Sequence, residues 1–140
     1  MKRILAILLI ATMIITGCTV QTQVTTLQST TVESPEKAEY IKITAQEAKE
    51  IMDSEENVAI VDVRTAQEYA EGYITDAILI PDAQIRDLAP DMLLDLDQTI
   101  LVYCRSGNRS RAASRILIDM GYTNVLDFGG ILDWPFEIVK

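Results

Sequence analysis

Histidine is missing from all 140 residues, and cysteine occurs only at Cys18 and Cys104. The first absence removes every mechanism that needs an imidazole, including a cysteine–histidine couple and any histidine metal ligand. Two cysteines so far apart also rule out the paired-cysteine zinc sets, so no metal and no cofactor is expected. The six glycines form neither a phosphate-binding loop nor a dinucleotide fingerprint. Basic residues are scarce, 12 against 21 acidic ones for a net charge of −9, which argues against nucleic acid as a partner. No apolar run reaches the roughly 20 residues of an ordinary membrane span. Asp91, Asp95 and Asp97 lie close together but lack the spacing and glycine of a calcium loop.

The amino terminus carries its own signal. Met1-Lys2-Arg3 followed by the apolar run Ile4 to Ile15 has the charged start and hydrophobic middle of an export signal. The run ends in Ile15-Thr16-Gly17-Cys18, which resembles the lipobox of bacterial lipoproteins. That resemblance implies removal of residues 1–17 as a signal peptide and lipid on Cys18. Membrane contact would then come through the lipid, and the expected location is the cell envelope, on the extracytoplasmic face of a bacterial membrane. Loss of Lys2 and Arg3 would take the net charge from −9 to −11. Residues 18–39 comprise the lipidated cysteine and a stretch rich in Thr, Gln and Ser that reads as a flexible tether. Weak alternation of Val, Thr and Leu there would also suit an extra strand. Residues 40–140 remain for one compact domain, enough chain for a single core, and a monomer is expected. Cys104 is its one thiol, so no disulfide can form within it.

Along this domain strands and helices alternate. Tyr40 to Ile43 suits a short strand, and Thr44 with Glu47 makes a capping box for a helix whose apolar face is Ala45, Ala48, Ile51 and Met52. Val58 to Val61 is a continuous apolar run, as a strand buried on both faces requires. Thr65 caps a short helix through Tyr69, stopped by Gly72, and Ile78 to Ile80 is a strand closed by Pro81. Ala83 to Leu94 is read as one or two short helices interrupted at Pro90. A strand at Ile100 to Tyr103, a helix at Arg109 to Met120, a strand at Asn124 to Leu126 and a final turn around Trp134-Pro135 complete the series. This order predicts an α/β fold, a mainly parallel sheet with helices on both faces.

The loop Cys104-Arg105-Ser106-Gly107-Asn108-Arg109-Ser110 therefore joins the end of a buried strand to the start of a helix. Backbone N–H groups at such a junction lack intrahelical partners and stand at the positive end of the helix dipole, which favours a thiolate over a thiol. Four of the twelve basic residues, Arg105, Arg109, Arg111 and Arg115, fall within the eleven residues Arg105 to Arg115. Guanidinium groups suit oxyanions, although Arg111 and Arg115 equally suit the solvent face of a helix. Asp62 and Arg64 are read as architecture at a strand end, through an ion pair or cap. Arg64 and Glu68 could pair at i, i+4, and Trp134 is read as a core plug.

Several ordered motifs now resemble one family, the rhodanese-like domain. Val61-Asp62-Val63-Arg64 with Glu68-Tyr69, then Gly72-Tyr73-Ile74, Ala77 and Ile80-Pro81, is similar to its first signature. Cys104 to Ser110 matches its active-site loop, and Gly121-Tyr122, Val125, Gly129-Gly130 and Trp134 match its closing segment. Tyr73 stands where the family usually has histidine. The resemblance implies sulfur transfer. The Cys104 thiolate would take a sulfane sulfur from a small anionic donor such as thiosulfate and hold it as a persulfide for a thiol or cyanide acceptor. Arg105, Ser106, Gly107, Asn108 and Arg109 would form the substrate-binding loop, with Arg105 and Arg109 drawing in the donor.

Two other readings stay open at this point. A cysteine-based phosphatase or arsenate reductase would use a related oxyanion loop, but those phosphatases resemble Cys-x5-Arg, and here the sixth position is Ser110 while Arg109 stands fifth. A non-catalytic module could instead bind a partner or sense sulfur or oxidation through Cys104.

Overall fold

A computed structural model describes residues 38–140. The expected signal peptide at residues 1–17, the lipid attachment expected at Cys18 and the extra strand considered for the tether fall on residues outside those described. Five strands form one sheet: β1 (Ile41–Lys42), β2 (Val58–Asp62), β3 (Ile78–Leu79), β4 (Thr99–Cys104) and β5 (Asn124–Gly130). Every pairing is parallel, in the spatial order β1-β5-β4-β2-β3. β4 is central and buried along its whole length, which is why its sequence reads as an uninterrupted apolar run rather than an alternating one.

Helices cover both faces, as the alternating pattern predicts. Side chains leave a strand alternately to its two sides. Ile100, Val102 and Cys104 meet α3 (Ile85–Met92) and α4 (Asn108–Asp119), while Leu101 and Tyr103 face α1 (Ala45–Ser54) and α2 (Ala66–Ala70). The predicted capping box at Thr44 is present, and the predicted cap at Thr65 proves to be a second box. Thr44 and Glu47 exchange hydrogen bonds at the start of α1, and Thr65 and Glu68 do so at the start of α2. Each cap stabilises its helix by about 1 kcal/mol.

Two expectations need correction. Pro90 does not interrupt the chain, because α3 runs through it after a 3₁₀ turn at Asp82–Gln84. Pro90 and Arg86, four residues earlier, are both exposed, so water can take the carbonyl that a proline leaves without its helical donor. β5 is also longer than the predicted Asn124 to Leu126 and continues to Gly130. A bulge permits this. Val102 pairs with Asp127 but Tyr103 with Gly129, leaving Phe128 as the extra residue. The Asp127 carboxylate steadies the bulge by accepting the Gly129 N–H at 2.9 Å.

Connections from β4 lead through α4 to β5 on one side, and those from β2 lead through α2 to β3 on the other. The carboxyl ends of β4 and β2 therefore frame the crevice where ligands bind in open α/β sheets. Cys104 ends β4 and Asp62 ends β2.

Candidate active site

Cys104 is almost wholly buried, at 1% exposure, yet its surroundings are polar on the side that matters. The chain turns sharply after it, and the Gly107 N–H comes back to donate to Sγ at 3.0 Å. That turn requires φ +96° at Gly107, a left-handed conformation that residues with a Cβ rarely adopt. α4 begins immediately afterwards, with Gly107 as its cap and no side chain to satisfy the first N–H groups. They are free for the sulfur. Burial alone would push the Cys104 thiol up. Hydrogen bonds from the Ser110 N–H and hydroxyl, and from the Gly107 and Ser106 N–H groups, outweigh it and hold the thiol below its ordinary value.

Ser110 was read in the sequence only as the residue at the sixth loop position, with no part in binding, although it is fully buried and sits in the first turn of α4. Its Oγ is 3.7 Å from Sγ and 3.2 Å from the carbonyl oxygens of both Gly107 and Gly129. A hydroxyl has one proton to donate. While the sulfur is a thiol, S–H can donate to Oγ and the hydroxyl to a carbonyl; once it is a thiolate, the hydroxyl can turn to the sulfur. The available signal was a small polar residue between two arginines at the sixth position after the cysteine.

Gly130 explains the glycine pair that follows Phe128. It is the sheet partner of Cys104, and the loop crosses directly over it. A Cβ there would lie 2.4 Å from the Arg105 carbonyl oxygen and 2.6 Å from the Ser106 Cα, contacts that backbone atoms cannot yield cheaply. The Leu132 N–H also donates to the Arg105 carbonyl at 3.3 Å. The loop is thus held from below by β5 and from the side by the segment after it.

The other site candidates divide into two groups. Ser106 and Asn108 are exposed, Gly107 is buried, and Arg105 is exposed with no ion pair among the described residues. Arg109 was expected to draw in an anionic donor, but its guanidinium is engaged. It donates from both Nη atoms to Glu68, at 2.7 and 2.8 Å. The proposed Arg64–Glu68 pair is therefore absent. Arg64 lies before the cap of α2, outside the helical spacing, and turns back to Asp62 with an Nη2–Oδ2 distance of 2.6 Å. It also donates to the Gly72 carbonyl at 2.7 Å and lies over the Tyr103 ring. Arg64, Glu68 and Arg105 share the wall of a shallow depression of about 270 Å³ beside the loop. Arg111 and Arg115 are exposed, and Arg115 covers the Tyr40 ring.

The arrangement suits a sulfur nucleophile that carries its negative charge without a proton-accepting side chain. Main-chain N–H groups at a helix start form a nest for an anion, and guanidinium charge stands outside it.

Known proteins resemble this chain in sequence and fold. The sequence profile of the rhodanese-like domain matches residues 44–135. The chain is 40% identical over 82 residues to a sulfurtransferase of Allochromatium vinosum, covering 56% of this chain and 73% of that one. It is 35% identical over 80 residues to the thiosulfate sulfurtransferase PspE of Escherichia coli, covering 57% and 77%. A solved rhodanese with anions from E. coli superimposes with a TM-score of 0.57 at 34% identity, over 59% of this chain and 98% of its own. The ordered motifs, the parallel sheet and a loop built around one buried cysteine agree with that match, and the chain belongs to the rhodanese-like domain family.

Proposed function

We propose that this protein is a sulfurtransferase that carries a sulfane sulfur on Cys104. The observation that carries the reading is the convergence of the Gly107 N–H, the Ser110 hydroxyl and the neighbouring amides on one sulfur atom. In the first step the Cys104 thiolate attacks the outer sulfur of a donor such as thiosulfate. A new S–S bond forms, the donor's own S–S bond breaks, and sulfite leaves with the electron pair. In the second step an acceptor thiolate or cyanide attacks the outer sulfur of the persulfide, and Cys104 departs as the thiolate. Neither displacement needs a general base once the thiol has ionised, which accords with a chain that has no histidine. The amides that favour the thiolate would equally favour a persulfide anion.

Arg105 is the guanidinium best placed to attract an anionic donor, because Glu68 already takes the charge of Arg109. A phosphatase reading loses support at the sixth loop position. There the buried Ser110 packs against the nucleophile, where those enzymes resemble a pattern with arginine.

Intact-mass measurement after thiosulfate treatment tests the proposal. The protein should gain one sulfur atom, lose it to cyanide or a dithiol, and gain none as Cys104→Ser. Sulfur uptake by that variant would remove Cys104 from the nucleophile's role. We further propose attachment to the extracytoplasmic face of a bacterial membrane through lipid on Cys18. Cys18→Ala should then move the protein to the soluble fraction, and unchanged membrane retention would end that part of the reading.

A further inference from the structure

The sheet face that carries α1 is not fully roofed. Between α1, the start of β2, the turn at 74–76 and the segment at 134–137 lies a half-open cavity of about 690 Å³, a size that suits a small molecule. Met52, Ile60, Ile74, Trp134 and Phe136 supply apolar lining. Trp134 and Phe136 meet edge to face, with ring centroids 4.9 Å apart. The polar lining is mostly carboxylate, and Lys49 is its one cation.

That lysine shows what the cavity accepts. Its ammonium group pairs with Asp53 and lies 5.9 Å from the centroid of the Phe136 ring. A cation is thus already held between a carboxylate and an aromatic ring. Glu55 is engaged by the Thr99 hydroxyl. Glu56, Asp76 and Glu137 have no ion pair among the described residues. A second copy and the segment 18–37 both have the wrong sign. A second copy brings a net charge of −9, and residues 18–37 carry Glu33 and Glu36 against Lys37 alone.

We propose that this cavity binds a small organic cation, an ammonium group on an aromatic or branched apolar body. The body would rest on Trp134 and Phe136, and the charge would lie toward Asp76 and Glu137. The cavity is on the opposite sheet face from α4 and uses nothing from Cys104, so it stands or falls apart from sulfur transfer.

Trp134 is the only tryptophan of the chain and provides the readout. The full chain is titrated with phenethylammonium, with its neutral counterpart phenethyl alcohol, and with the anion hydrocinnamate, following tryptophan fluorescence. The ammonium should give a saturable change, the alcohol should bind about tenfold more weakly, and the carboxylate should not bind. Asp76→Asn with Glu137→Gln should weaken the ammonium to the level of the alcohol and leave the alcohol unchanged. Asparagine suits the left-handed φ of +63° at position 76. Lys49→Gln removes the internal competitor and should tighten ammonium binding. Equal binding of ammonium and alcohol, no saturable signal with the ammonium, or unchanged affinity in the double variant would overturn the proposal. Should the double variant lose the alcohol signal as well, the Lys49→Gln titration decides, and weaker ammonium binding there refutes the site.

Discussion

Asp62–Arg64 and Glu68–Arg109 are both two-pronged carboxylate–guanidinium pairs beside the Cys104 loop, yet they live in different solvents. The side chains of the first pair are 0% and 6% exposed, and those of the second 23% and 29%. In the buried pair each charge depends on the other, because neither has water to fall back on. Arg64 also holds the Gly72 carbonyl, and Asp62 accepts the Arg64 N–H, so this pair ties the end of β2 to the segment after α2. The half-exposed pair links α2 to the first turn of α4 and can open at little cost. Similar chemistry fixes the scaffold in one place and sets the local charge of the site in the other.

Replacing one partner in each pair should separate these roles. The largest effect is expected from Asp62→Asn, which leaves Arg64 buried without a counter-charge and should cost about 3–5 kcal/mol of stability in urea unfolding. A loss under about 1 kcal/mol would place that pair in the same class as the exposed one. Glu68→Gln should cost less than about 1 kcal/mol. By freeing Arg109 it should favour thiosulfate over an uncharged organic donor by about threefold in kcat/KM, the scale of one half-exposed ion pair. An unchanged donor ratio would show that Arg109 does not reach the donor even when released.

The smallest effect is the pH dependence. The Arg109 hydrogen bonds, helped by the Thr65 N–H and hydroxyl, hold the Glu68 carboxyl at about 2 against burial, below its ordinary value of 4.5. A carboxyl depressed in the folded state contributes stability above its unfolded value and loses it as pH falls through the folded one. The stability difference between the native protein and Glu68→Gln should therefore be constant above about pH 5 and close between 4.5 and about 2. A gap that persists at the acid end would mean that Glu68 acts by packing rather than charge.

The same contrast marks where the sequence could be read. Thr44–Glu47 is a contact three residues apart, and its box formed as the spacing predicted; Thr65 was read only as a cap, and Glu68 completes a second box of the same spacing. Cys104 before a glycine and a helix start was legible for a similar reason, since the chemistry is local and the helix supplies the N–H groups. Trp134 was read as a core plug and packs on Phe128 and Phe136. The partner of Arg109 was hidden because it lies 41 positions away, while a nearer arginine fitted the i, i+4 rule that α2 starts too late to satisfy. β5 appeared to stop early because Gly129-Gly130 reads as a break. Its continuation depends on the loop lying over Gly130, a contact between segments 25 residues apart.

Central to all of this is that main-chain amides and Ser110 stabilise negative charge on a buried sulfur. The direct measurement is the rate of Cys104 alkylation by iodoacetamide against pH, quantified on the Cys104 peptide by mass spectrometry. The rate should reach half its plateau clearly below the roughly 8.5 of a free cysteine, and Ser110→Ala should move that midpoint upward. A midpoint at or above the free-cysteine value in the native protein would mean that burial outweighs the hydrogen bonds, and the loop would not be a seat for sulfur anions.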